Sequence, residues 1–145
     1  MRGLAVAVAA TCFLAQQPAV RFQDYPARLY TGPHARPDFS THRDSRRFRS
    51  RVMDTLRQRP NFAGEWIVTI WGCGTSCQSG LMVSARTGRI VGLPSSMSSG
   101  VAHRANSRLL VLDPDDEHAP TDGDLYLWNG SAFVPIDSTA GRQPN

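Results

Sequence analysis

Apolar residues along the chain recur with two different periods. Phe48, Val52 and Leu56 fall at every fourth position with Met53 beside them, the spacing of a helix that packs by one narrow stripe. Thr41-His42-Arg43-Asp44 reads as a capping box that opens this helix, the threonine capping and Asp44 reaching back to the first amides. Pro60 predicts its end at about Arg59. From Asn61 onward the period becomes two. Trp66, Val68 and Ile70 share one face of a strand and Ile67 and Trp71 the other, while Leu109-Leu110-Val111-Leu112 is apolar throughout. Strands apolar on both faces predict central places in a sheet covered on both sides. Between them lie Leu81-Met82-Val83-Ser84-Ala85, a turn at Arg86-Thr87-Gly88, and Arg89-Ile90-Val91-Gly92-Leu93. A last pair, Leu125-Tyr126-Leu127-Trp128 and Ala132-Phe133-Val134-Pro135-Ile136, flanks Asn129-Gly130, a strong hairpin signal. The expected fold is α+β: an antiparallel β-meander of about six strands with one basic N-terminal helix packed on the sheet.

At 145 residues the chain is sized for one domain, expected over 41–137, with no repeat and no linker. Residues 16–40 are rich in proline and arginine without a clear period (Tyr25-Pro26, Gly32-Pro33, Arg36-Pro37) and predict an extended arm, with one short strand around 27–30. Residues 138–145 predict a disordered tail. The first residues follow the pattern of a secretory signal peptide: Met1-Arg2, an apolar run to Ala15, then Gln16-Gln17-Pro18. The run is too short for a transmembrane helix, and no other segment is apolar enough to be one. The expected location is therefore secreted or periplasmic, with cleavage after Ala15. A lipid anchor on Cys12 competes, but Ala9-Ala10-Thr11 makes a poor lipobox. Loss of Cys12 reduces three cysteines to two, and an oxidising compartment then favours a Cys73–Cys77 disulfide.

Charge is uneven along the chain. All 16 basic residues are arginine. Ten arginines against four aspartates between Arg21 and Arg59 leave a surplus of six positive charges, and seven acids against Arg142 after Leu112 leave a surplus of six negative ones. Mutual neutralisation in the fold is the favoured reading, ahead of a basic face for a partner.

The segment Trp71-Gly72-Cys73-Gly74-Thr75-Ser76-Cys77-Gln78 is the candidate binding loop. A rigid turn with Thr75 and Ser76 at its tip and Trp71 at its base offers hydrogen bonds and an aromatic anchor at low entropic cost. The competing reading is a stapled hairpin with Trp71 buried under the helix. Thioredoxin-type chemistry uses two residues between its cysteines and a following helix, whereas this pair is separated by three and lies between strands. A metal set of Cys73, Cys77, His103 and His118 departs from zinc-finger spacing. The acids from Asp113 to Asp124 match no EF-hand loop, and Ser95-Ser96-Met97-Ser98-Ser99-Gly100 reads as a flexible loop. No catalytic residues, cofactor or metal are assigned: no serine sits in a nucleophile elbow, and a paired cysteine is no nucleophile. Nucleic acid is not expected, since aromatics placed for base stacking are missing.

Several motifs follow one another closely: Arg49-Ser50-Arg51, Pro60-Asn61-Phe62-Ala63-Gly64, Trp71-Gly72-Cys73-Gly74-Thr75 with Cys77, Thr87-Gly88, Ser107-Arg108-Leu109-Leu110 and Trp128-Asn129-Gly130. Over residues 45–136 the chain resembles a family of small secreted bacterial proteins of unknown function, marked by Asn-Phe-Ala-Gly followed by Trp-Gly-Cys-Gly-Thr-x-Cys. Its strand, disulfide loop and second strand are also similar in architecture to the periplasmic inhibitor of vertebrate-type lysozyme. The charged, histidine-containing tip of that inhibitor is missing from Gly74-Thr75-Ser76, so its inhibitory residues do not carry over. The expected function is an exported, non-enzymatic binding or inhibitor-like module acting on a protein or envelope component. The alternative is a thiol-redox or metal-binding activity at Cys73 and Cys77.

Overall fold

Both faces of the apolar strands are covered, but the strands form two sheets packed on each other rather than one. The computed structural model describes residues 20–114 and 123–137. In it β1 (Trp66–Gly74), β2 (Cys77–Ser84) and β3 (Ile90–Gly92) form one antiparallel sheet in that order. β4 (Val101–His103), β5 (Leu109–Leu112), β6 (Asp124–Trp128) and β7 (Phe133–Pro135) form a second. The expectations for the signal at 1–15, the tail at 138–145, the acidic run at 115–122 and His118 lie outside the described residues. Among those described, no helix is long and apolar enough to cross a membrane.

The single six-stranded meander is thus corrected to seven strands in two sheets, and the reason lies between Gly92 and Val101. β3 pairs with β2 over only three residues. Pro94 follows, with no N–H to extend a ladder. The chain then turns inward: Met97 is buried, and its N–H and C=O pair with those of Gln78 at 2.9 and 2.7 Å. Asp113 Oδ1 accepts the Ser98 N–H at 2.7 Å and also that of Ser99. The serine-rich segment read as a flexible loop is therefore pinned at three points.

Between the sheets Trp66, Val68 and Met82 of the first meet Leu110, Leu112 and Trp128 of the second, with Phe62 and Met97 filling the same core. The Trp66 and Trp128 rings pack edge to face, centroids 5.0 Å apart. Each such fully buried apolar side chain stabilises the fold by about 1.5–3 kcal/mol relative to exposure. The outer face of the first sheet buries Leu81, Val83 and Ile90 under Val52 of the helix, and that of the second buries Leu109, Val111 and Leu125 under Val20 and Phe22 of the arm.

The helix α1 (Arg49–Thr55) is shorter than the sequence predicts. A 3-10 turn over Ser45–Phe48 precedes it, and neither start carries a side-chain cap. Thr41 is diverted from capping: its hydroxyl donates to Asp38 O at 2.6 Å and accepts the Ile90 N–H at 2.9 Å. The arm forms no strand at 27–30. It is laced on by single bonds instead: Ala27 N–H to Asn106 O, Tyr30 N–H to Gly64 O, and Ala35 N–H to Ala85 O, at 2.8, 2.9 and 2.8 Å. Gly64, at φ +83°, sits against the Arg28 carbonyl, where a Cβ would collide with backbone.

Candidate functional site

The β1–β2 hairpin leaves the body of the protein partway along its length. Trp66, Ile67 and Val68 are buried, whereas Ile70 and every residue from Gly72 to Ser76 are exposed. Register explains the shape of the tip. Gly72 pairs with Gln78 and Gly74 with Cys77, so Cys73 is an extra residue on its strand and forms a bulge. Thr75 and Ser76 make a two-residue turn, with Gly74 at φ +147° and Ser76 at φ +50°. Cys73 and Cys77 are joined by a disulfide, their Cα atoms 5.1 Å apart. A Cβ on Gly72 or Gly74 would meet nothing within 4 Å, so packing does not require small residues there. Gly74 is needed for its backbone angle.

Two of the sequence-predicted loop residues support the base of the hairpin instead. Trp71 is half-buried, its ring 4.8 Å from Phe48 with the Arg51 guanidinium 5.3 Å above it. Gln78 holds Met97 through the backbone, and its side-chain Oε1 is buried without a partner. The tip presents Gly72, Gly74, Thr75 and Ser76; Trp71 and Gln78 position it.

Asn61 is a functional candidate that the sequence reading passed over, although it lies in the Pro60-Asn61-Phe62 motif. Its side chain accepts the Val68 N–H at 2.8 Å and donates to Val68 O at 3.2 Å, plugging the outer edge of β1 midway. Its carbonyl holds His103 Nδ1 at 2.8 Å. Burial is the main force on His103, pushing its pKa below the ordinary 6.5; the bond to Asn61 opposes this, and the charge of Arg104 adds to it.

Arg46, Arg47, Arg49 and Arg51 are exposed on the turn and helix, with Arg51 over the Trp71 ring and Arg49 over the Phe39 ring at 4.8 Å. Among the described residues the ion pairs are Arg21–Asp24, Arg57–Asp54 and Arg86–Glu65. None joins the arginine-rich segment to the acidic end of the chain, whose residues 115–122 are not described. Both cysteine sulfurs are spent in the disulfide, and no described group of three or more His, Cys, Asp or Glu is arranged to hold a metal. A recess of about 450 Å³ lies between the arm and Pro60, bounded by Leu29, Tyr30, His34 and Arg59, and contains none of the predicted site residues.

In comparisons with known proteins, no family model, no curated protein and no solved structure matches this chain.

Proposed function

We propose that the protein is an exported, non-enzymatic binding module, inhibitor-like in architecture, that presents the closed end of its β1–β2 hairpin to a protein or envelope component. The observation that carries this reading is the hairpin itself. Nine residues of β1 begin in the core and end in solvent, and the exposed end is closed by a covalent bond. Pre-ordering a protruding loop removes the entropy that a flexible one loses on binding. Nucleic acid is the poorer partner, because Phe39 and Trp71 are half-buried and each already has an arginine guanidinium over its ring. Capture tests the proposal: tagged protein is crosslinked in its native compartment, alongside a version with Thr75 and Ser76 replaced by alanine. Recovery of the same proteins by both would remove the tip as the binding site.

The rival is a thiol or metal-dependent activity at Cys73 and Cys77, favoured by the exposure of Cys73 at the hairpin end, since thiol exchange depends on access. Intact mass before and after alkylation separates the two readings. An unalkylated, metal-free pair supports the binding module, and a reduced or metal-loaded pair supports the rival.

A further inference from the structure

Residues of an antiparallel strand turn their N–H and C=O groups alternately toward and away from the neighbouring strand. Along β1, Trp66 and Val68 turn theirs away from β2, where the preceding segment meets them. Trp66 N–H donates to Phe62 O at 2.9 Å, and the Asn61 side chain takes both groups of Val68. The partner strand shows the same alternation, since Gln78 and Gly80 bond away from β1 to Met97 and Leu93. Ile70 and Gly72 therefore aim their backbone groups at the outer edge of the hairpin, and no described residue hydrogen-bonds to them there. Beyond the Asn61 plug, the edge is an open template for another strand.

We propose that this edge, at Ile70 and Gly72, adds a short extended segment of a partner protein that carries an acidic side chain on the helix face and an apolar one on the opposite face. The proposal rests on the reading of the hairpin as the binding element and names what it binds. Pairing supplies the affinity through main-chain hydrogen bonds, and side chains supply the selection. Trp71 faces the helix, where Arg51 stands over it and Arg46, Arg47 and Arg49 are exposed. None of these four is ion-paired with a described carboxylate. A partner residue beside Trp71 thus lies at the foot of a cationic helix. Ile70, 37% exposed, offers the apolar contact on the other face. A second copy of this chain fits less well, because two-fold pairing of the same edge sets one Arg51 against the other.

The test uses the full chain with its disulfide intact and a labelled peptide alternating valine and glutamate, read by fluorescence anisotropy. The expected result is binding that weakens with salt and falls at least tenfold when alternate peptide amides are N-methylated. The same loss is expected for Arg51→Glu and for Gly72→Pro. Gly72→Pro removes an outward N–H from an edge where a side chain has room, leaving the ladder to β2 in place. Equal binding of the N-methylated peptide, or of a valine–lysine peptide, overturns the proposal. So does dextran sulfate binding as tightly and ignoring Gly72→Pro, which reduces the surface to a patch for anionic polymers. A dimer that Gly72→Pro dissolves would give the edge to a second copy and also overturn it. Partner crosslinks that depend on Thr75 and Ser76 but not on Gly72 would sink this inference and leave the tip reading standing; the reverse pattern would do the opposite.

Discussion

Replacing Cys73 and Cys77 together by alanine removes the covalent closure without emptying a buried position, since Cys77 is only half-buried. Cys73 is exposed, and the glycines on either side of it border open solvent. The cost then comes from the unfolded chain, where a five-residue ring restricts little: about 2 kcal/mol by chain entropy extrapolated to so short a loop. Below the tip, Trp71 still packs on Phe48 and Gln78 still pairs with Met97, so the base of the hairpin should hold. Urea denaturation of the oxidised protein and the variant should differ by about 2 kcal/mol or less at unchanged slope. Hydrogen exchange should quicken about tenfold or more by local opening at the Gly74–Cys77 pair. At Val68 and Met82 it should quicken by no more than the roughly thirtyfold that about 2 kcal/mol gives amides exchanging through global unfolding. A loss above about 4 kcal/mol, the scale of emptying a large core position, would refute the reasoning. So would acceleration at Met82 well beyond that roughly thirtyfold limit. Either result would make the bond a staple of the whole fold.

Met97 and Met53 should separate by burial. Met97→Ala is expected to cost about 2–3 kcal/mol in thermal or urea unfolding and to loosen 95–100, whereas Met53→Ala, 46% exposed, should stay within about 0.5 kcal/mol. Gly64→Ala should destabilise by about 2 kcal/mol or more and release the arm to limited proteolysis, since a Cβ meets the Arg28 backbone at a positive φ. His103 is held below its ordinary pKa of 6.5, so the folded state binds fewer protons than the unfolded one. Its contribution is present above about pH 6.5 and lost as pH falls through its lowered value; His103→Gln should flatten the urea midpoint between about pH 7.5 and 5.5.

How far the fold could be read from the chain depended on whether its causes were local. Double-faced apolarity at Trp66-Ile67-Val68 and Leu109-Leu110-Val111-Leu112 marked strands buried on both sides, and both are. The central place it predicts holds only for β5: β1 lies at the edge of its sheet, its second face covered by packing rather than its edge by a neighbouring strand. Asn129-Gly130 marked the last hairpin, whose four-residue loop is closed by Asn129 Oδ1 accepting the Ser131 and Ala132 amides. Cysteine counting found the disulfide. What escaped depended on distant partners. Periodicity says that a segment is a strand but not which strand it joins, so the split between β3 and β4 was invisible. Val101–His103, too short to show a period, was missed as β4. Thr41 looked like a cap because nothing nearby reveals that its hydroxyl serves Ile90. The plug by Asn61 likewise requires knowing that Val68 lies on an edge.

The central claim, that the protruding hairpin end is what this protein presents to a partner, is tested most directly by placing a photo-crosslinking residue at Thr75 and, separately, at Ser131 in the other exposed hairpin. Partner adducts formed from position 75 and not from 131 are expected, with loss of the 75 adducts once Cys73 and Cys77 are reduced and alkylated. Adducts formed equally from both positions, or from 131 alone, would contradict it.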